Sequence, residues 1–484
     1  MRNENQEDRK VVVADDELAF TPMMELRTLL RQKKVSPVEI TDLYIKRIER
    51  LNVRLNAYLE CAFYQARIDA KSAEQSIIDG DVTGSLLGVP IAIKDLEMTT
   101  GIRTTGGSLI FKDRIPTIDS IVVERIKKAG GIILGKTNTP EFGLLGETRN
   151  RLGDDCRNPW DLNKTSGGSS GGAAVATVSG MCSVATGSDG GGSIRIPSSF
   201  TGTYGIKPTQ GRVPRYPVLD PHIANHTSQS GPISRTVKDS ALLLQIIAGH
   251  DRRDPSSLSS PVPDLLTAAS EDVSGLRIGW TPDFGFAKVD PEIIKICQSA
   301  AKNFEHLGCH VDESDLKMQD PFEQWHVLFA LPSMIANTSI WPSRSKDMND
   351  YVQQAYRAGE KYTALDYARA LGHIDTLRMK LGEQFQKFDV LISPTMAVPP
   401  YDCRQPPRQI KGENVDGSWA CLPFTYPINM TGNPAASIPA GMTSSGLPVG
   451  LHIIGRIGAE DDVVAASAAF EKAYPWDHLR PPIA

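Results

Sequence analysis

Lys164-Thr-Ser-Gly-Gly-Ser169-Ser170-Gly-Gly-Ala-Ala-Val-Ala176, then a short apolar run, then Ser188-Asp189-Gly190-Gly191-Gly192-Ser193-Ile-Arg195-Ile-Pro197: the reading of the chain turns on this stretch. Two glycine-serine clusters stand 24 residues apart, with Ser169 and Ser193 as corresponding points. Glycine at this density lets the backbone take positive φ and approach a ligand closely. Successive glycines can also turn several N–H groups inward as an anion-binding nest. A serine closing such a nest is a candidate nucleophile beside its own oxyanion hole. A flexible linker has similar composition. A linker, however, would not carry the helix-like Ala173–Val178 and the strand-like Met181–Thr186 between the clusters.

Outward from this centre, helices and strands alternate. Upstream, Leu87-Gly-Val-Pro-Ile-Ala-Ile93 reads as a buried strand with Lys94-Asp95 at its end, a position where α/β proteins build sites. Alone, Lys94 reads more readily as a lysine covering apolar surface. Gly130-Gly-Ile-Ile-Leu-Gly135-Lys136-Thr137 fits the phosphate-loop pattern G-x-x-x-x-G-K-[ST]. The intervening Gly-Ile-Ile-Leu favours a strand, and Pro140 follows too soon for a helix, so phosphate binding is not expected there. Ser36-Pro37-Val38-Glu39 combines a cap, a first-turn proline and a capping-box glutamate, opening a helix through Leu51. Further helices are expected at about 20–32, 59–79, 120–128, 237–248, 290–307, 321–339, 346–387 and 460–473. Strands are expected at 131–135, 276–280, 309–311, 389–395, 438–440 and 448–454, and a long loop at 396–420. The class is α/β. Residues 1–15 read as a flexible tail, and 16–484 as one domain whose helical and loop segment at about 310–425 covers the site.

Composition narrows the function. The chain has 484 residues, 40% hydrophobic and 23% charged, with net charge −5, so neither nucleic acid nor an acidic membrane is an expected partner. No run long and apolar enough for a transmembrane helix is present, and the polar N-terminus has no secretory core. Seven widely spaced cysteines without CxxC, and nine scattered histidines, support no metal site or disulfide framework. A cytoplasmic protein, monomeric or homodimeric and working without metal or cofactor, is expected.

The chemistry then rests on Lys94, Ser169 and Ser193. A serine is a weak nucleophile until something takes its proton, and no histidine lies in the motif region. A lysine can do so if desolvation keeps it neutral, and an intervening serine can pass the proton because its hydroxyl both donates and accepts. Gly167-Gly-Ser169-Ser170-Gly-Gly172 and Asp189-Gly-Gly-Gly-Ser193-Ile-Arg195-Ile-Pro197 resemble the motifs of the amidase signature family. Gly135-Lys-Thr-Asn-Thr-Pro140, Gly205-Ile-Lys-Pro-Thr209, Pro423-Phe-Thr425 and Gly446-Leu-Pro-Val-Gly450 extend the resemblance over roughly residues 20–476.

The resemblance implies a mixed central β-sheet with helices on both faces and a Ser–cis-Ser–Lys triad. Ser193 would be the nucleophile, Ser169 the bridging serine with a cis bond to Gly168, and Lys94 the base. Gly190, Gly191, Gly192 and Ser193 would supply oxyanion N–H groups, with Ser170, Asp189 and Arg195 in support. The usual pattern has threonine where this chain has Gly190, an exchange expected to loosen the loop. The family hydrolyses amides, anilides, carbamates and esters, so a small hydrophobic or aromatic amide or carbamate is the expected substrate.

Phe142, Leu144, Thr165, Trp325 and Trp341 are candidate pocket residues, with Phe329 and Trp419 as further apolar walls. Two rivals are enzymes. Gly167-Gly-Ser169-Ser170-Gly171 also fits the nucleophile elbow G-x-S-x-G, which would recruit a histidine such as His452. The glutamine-hydrolysing amidotransferase subunit shares the family core. It usually carries RYG and EVKRRI motifs, where this chain reads Tyr351-Val-Gln-Gln-Ala-Tyr356-Arg-Ala-Gly. A catalytically dead binding scaffold is the third alternative, against which the intact Lys94, Ser169 and Ser193 argue.

Overall fold

Eleven strands form one mixed sheet in the computed structural model, which describes residues 15–217, 224–417 and 419–484. They are β1 (Tyr58–Cys61), β2 (Pro90–Lys94), β3 (Ile132–Thr137), β4 (Val184–Asp189), β5 (Tyr204–Lys207), β6 (Gln229–Ser234), β7 (Arg277–Trp280), β8 (His310–Glu313), β9 (Val390–Pro394), β10 (Ala435–Met442) and β11 (Pro448–Gly455). Their spatial order is β1-β3-β2-β4-β6-β5-β10-β11-β9-β7-β8. The expected tail at 1–15 lies outside the described residues except for Asp15, where a short helix begins. Among the described residues, no helix is long and apolar enough to cross a membrane.

β2 is buried at every position, as its unbroken Pro-Ile-Ala-Ile run requires of a strand covered on both faces. It runs parallel to β3 on one side and β4 on the other. Lys94 closes β2 and Asp189 closes β4, so both strand ends open at the same edge. Between the strand ends and the sheet's flank runs the Gly171–Val178 helix, buried all round. Its glycines are steric: a Cβ on Gly172 would lie 2.3 Å from Asn138 N.

The capping box at Ser36 is formed, and the Pro37–Leu55 helix buries Ile40, Leu43, Tyr44, Ile48 and Leu51. The helix expected at 346–387 is two, Asp350–Gly359 and Ala364–Lys387. Thr363 caps the second through a capping box with Asp366, a signal present in the sequence. Three strands of the large sheet were not expected. β1 precedes the Phe63–Ile78 helix where one longer helix was predicted. β5 and β6 lie in a region read as loops. Gly231-Pro232 reads as a turn, yet Pro232 stands opposite Thr186 of β4, at a level where pairing with β5 has already stopped at Ile233. The long stretch after β9 is largely irregular, with the two-residue strands Gln409–Ile410 and Glu413–Asn414 paired in it. It is tethered: Arg404 N donates to Glu147 Oε2 at 2.9 Å, and its guanidinium grips Asp155 at 2.7 Å.

Candidate active site

Lys94 is fully buried, and its Nζ sits among four oxygens. Ser169 Oγ and Ser170 Oγ are each 2.8 Å away, Ser188 Oγ 3.0 Å and Ser188 O 3.3 Å. Removal from water pushes the amine down to about 7, against the opposing pull of Asp189 and Glu97. A neutral amine offers one lone pair, which needs a hydroxyl that donates. Ser170 gives its proton to Ser188 O at 3.2 Å and accepts from Ser188 N. The hydroxyls of Ser169 and Ser188 are therefore the ones able to donate to Lys94. The Gly168–Ser169 peptide bond is cis, as the sequence resemblance implied.

The loop Gly190–Ser193 leaves β4 and leads into the Arg195–Thr201 helix. Ser193 O accepts from Ser170 N at 3.1 Å, which ties the two glycine-serine clusters together. The Ser193 hydroxyl makes no hydrogen bond among the described residues, to Ser169 or to anything else. Gly192 N–H, expected among the oxyanion donors, is engaged by Asp189 Oδ1 at 2.7 Å. The N–H groups of Gly190, Gly191 and Ser193 have no protein acceptor among the described residues.

Asp189 is the root of this loop. Its carboxylate accepts from Arg195 Nε and Nη2, both at 2.9 Å, and from Asn429 Nδ2 at 2.8 Å. The pair is wholly buried, and Arg195 with Asn429 holds the Asp189 carboxyl far below the usual carboxylate range despite burial. Arg195 Nη1 meets His452 Nε2 at 2.9 Å. Arginine only donates, so Nε2 accepts and the His452 proton sits on Nδ1, 3.4 Å from Ser393 Oγ. Burial and the arginine keep this imidazole neutral. With both nitrogens engaged there, His452 is not the partner that a nucleophile elbow at Ser169 would need.

The cavity beside Ser193 is lined by Gly143, Leu145, Gly146, Gly191, Ile196, Trp325, Phe329, Trp419 and Leu422, none of them charged. Its free volume, about 10 Å³, holds about one water. Trp325 stacks on Phe329 at 4.7 Å and meets Trp419 edge-on at 4.9 Å. Of the five pocket residues expected from sequence, Trp325 lines this cavity and the others are elsewhere. Phe142, Leu144 and Trp341 pack in a satellite apolar cluster with Tyr351 and Tyr356. Thr165 is buried, its N–H on Tyr401 O and its Oγ1 receiving Gly167 N. Gly190 is not loosened by its missing side chain: a Cβ there would lie 2.8 Å from Phe329 Cε2, so the phenyl ring fills that space.

Residues absent from the sequence reading of the site are Ser188, Thr425 and Asn429. Ser188 sits inside the second cluster, Thr425 ends the Pro423-Phe-Thr425 motif, and Asn429 lies one helical turn beyond it. Lys136, the lysine of the phosphate-loop pattern, lies in a strand and is wholly buried, as its sequence context indicated.

A family model described as Amidase matches residues 39–464. The chain is 36% identical to an acylamidase of Rhodococcus erythropolis, over 97% of this chain and 98% of the relative. It is also 36% identical to a subunit of the glutamyl-tRNA(Gln) amidotransferase of Moorella thermoacetica, over 96% of this chain and 99% of that one. Among solved structures, a bacterial aryl acylamidase of the amidase signature family superposes with a TM-score of 0.89 at 34% identity, covering 95% of this chain and 97% of that one. The chain belongs to the amidase signature family and is an amide hydrolase.

Proposed function

We propose that this enzyme cleaves the C–N bond of small amides with an apolar or aromatic part, and of aryl carbamates, through an acyl-enzyme on Ser193. The observation that carries the reading is the buried Lys94 amine, lowered to about 7 and 2.8 Å from Ser169 Oγ. Neutral Lys94 takes the proton of Ser169 as Ser169 takes that of Ser193, and Ser193 Oγ bonds to the carbonyl carbon. The displaced electron pair collects on the carbonyl oxygen, facing the free N–H groups of Gly190, Gly191 and Ser193. One such donor contributes about 3 kcal/mol to the transition state. The proton returns through Ser169 to the leaving nitrogen as the C–N bond breaks, because an amide anion is a very poor leaving group. Water repeats the relay, and the acid leaves with Ser193 restored.

The uncharged aromatic lining of the cavity supports an apolar substrate group, as does the similarity to acylamidases. Seven unpaired cysteines fit a cytoplasmic setting. Turnover on anilides, primary amides and aryl carbamates, beside Lys94→Ala, Ser169→Ala and Ser193→Ala, tests the reading. Each substitution abolishes most activity; full activity in Ser193→Ala overturns the acyl-enzyme. The similarity to amidotransferase subunits favours a second reading, glutamine hydrolysis with partner subunits. Glutaminase activity that appears only with co-purifying subunits would select it over the first.

A further inference from the structure

Nothing in the covalent structure of three consecutive glycines fixes which way their amides point, because a glycine backbone rotates with little steric resistance. In this protein every carbonyl of the loop is held from outside. Asp189 O accepts from Asn429 Nδ2 at 2.9 Å, Gly190 O from Trp325 Nε1 at 2.9 Å, and Gly191 O from Thr425 Oγ1 at 2.6 Å. Gly192 O accepts from Ile196 N at 2.7 Å. Within one planar trans peptide unit, the C=O and the following N–H point in opposite directions. Fixing the four carbonyls thus fixes the N–H groups of Gly190, Gly191, Gly192 and Ser193. Asp189 Oδ1 takes the third of these, leaving the other three for a ligand.

We infer that Asn429, Trp325 and Thr425 are positioning residues of the reaction: Asn429 and Trp325 aim the Gly190 and Gly191 N–H groups at the developing oxyanion of a substrate held on Ser193, and Thr425 holds the Gly191–Gly192 unit that lies between the Gly191 and Ser193 donors. The inference rests on the acyl-enzyme reading above. All three side chains are fully buried, and they reach the loop across 240, 135 and 234 residues of sequence. Asn429 sets the Gly190 N–H and Trp325 the Gly191 N–H. Thr425 holds the Gly191–Gly192 unit between its hydroxyl and the Asp189 carboxylate. Trp325 has a double position, because its ring also lines the cavity beside Ser193. Its indole packs so closely on Gly191 that a Cβ there would lie 2.5 Å from Cζ2.

The test uses Thr425→Val, which keeps shape and removes the hydroxyl, Thr425→Ser, which restores it, and Trp325→Phe, which keeps a ring and removes the N–H. Each is assayed for kcat and KM on an anilide and for inhibition by an aryl boronic acid, which forms a tetrahedral adduct on an active serine. Losing one oxyanion donor outright costs about 10²–10³ in kcat, so disordering one lowers kcat by about 10- to 100-fold. The expected result is that loss in Thr425→Val and Trp325→Phe, with boronic acid affinity falling by a similar factor. The anilide KM of Thr425→Val moves little, and Thr425→Ser recovers most of the rate. Wild-type kcat in the folded Thr425→Val and Trp325→Phe enzymes overturns the inference, as does lost activity with undiminished boronic acid binding. If Thr425→Val does not fold, Trp325→Phe decides by the same two readouts. An active Ser193→Ala enzyme defeats the acyl-enzyme itself; a dead one beside fully active Thr425→Val and Trp325→Phe defeats the positioning roles alone.

Discussion

Two lysines on neighbouring strands of one sheet have similar surroundings and different prospects. Lys94 ends β2 and Lys136 lies in β3, where Ile93 pairs with Lys136 and Lys94 with Thr137. Both are fully buried, and burial lowers both amines, to about 7 and about 8. Lys136 Nζ is held by Glu97 O and by Thr99 Oγ1, with the Asp95 carboxylate favouring its charge. Thr99 gives its own proton to Glu97 O at 3.0 Å, so neither hydrogen-bond partner of Lys136 Nζ among the described residues has one to offer. Lys94 has hydroxyls with protons to give, and one of them belongs to Ser169. A lowered amine pKa therefore does not single out a base; a hydroxyl that can hand it a proton does.

The sharpest way to break this contrast is to remove each amine in turn. Lys94→Met lowers kcat by about 10²–10⁴-fold, the usual worth of a general base, while Lys136→Met leaves the rate per folded molecule within about threefold. Equal losses in the two variants would erase the distinction. The pH profile comes next. A protonated Lys94 cannot accept the Ser169 proton, so kcat/KM rises with pH through about 7 and then levels. That limb stays in Lys136→Met; its disappearance there would assign it to the wrong lysine.

Stability carries the same signature. An amine lowered from its ordinary 10.5 to about 7 sheds its proton on folding between those values, so stability rises with pH across that window. Lys94→Met flattens this slope in denaturant titrations at several pH values; an unchanged slope would mean that burial does not lower Lys94. Among the groups around Lys94, the smallest expected effect is that of Ser170→Ala. It deletes one of the four oxygens around Lys94 Nζ and leaves the Ser169 route open, so kcat falls by about tenfold, less than for Ser169→Ala. A loss as large as that of Ser169→Ala would give Ser170 a share in the relay.

The sequence made legible what is local. Ser36 and Glu39 meet within one helical turn, the apolar Pro90–Ile93 run buries as a strand, and the glycine-serine clusters form loops at a sheet edge. Lys94 needed the resemblance to give it meaning, since its partners lie 75 and more residues away. Trp325, Phe329 and Trp419 line the cavity while Trp341 packs in a satellite core, a difference the sequence does not carry because an aromatic residue near a site looks the same in either place. The occupation of Gly192 N–H by Asp189 was invisible for another reason. Family motifs name residues, whereas the direction of a backbone amide depends on what its peptide units meet, Asp189 three residues back for the Gly192 N–H and Thr425 from far along the chain for the Gly191 carbonyl.

The dependence of the oxyanion loop on Thr425, Asn429 and His452 also has an order in time. Lys94, Ser169 and Ser193 all emerge in the first half of synthesis, and the buried knot around Asp189 and Arg195 closes only with residues made near its end. A half-made chain thus carries Lys94, Ser169 and Ser193 before the groups that hold the loop carbonyls exist, so on the proposed mechanism competence waits for the C-terminal part of the chain.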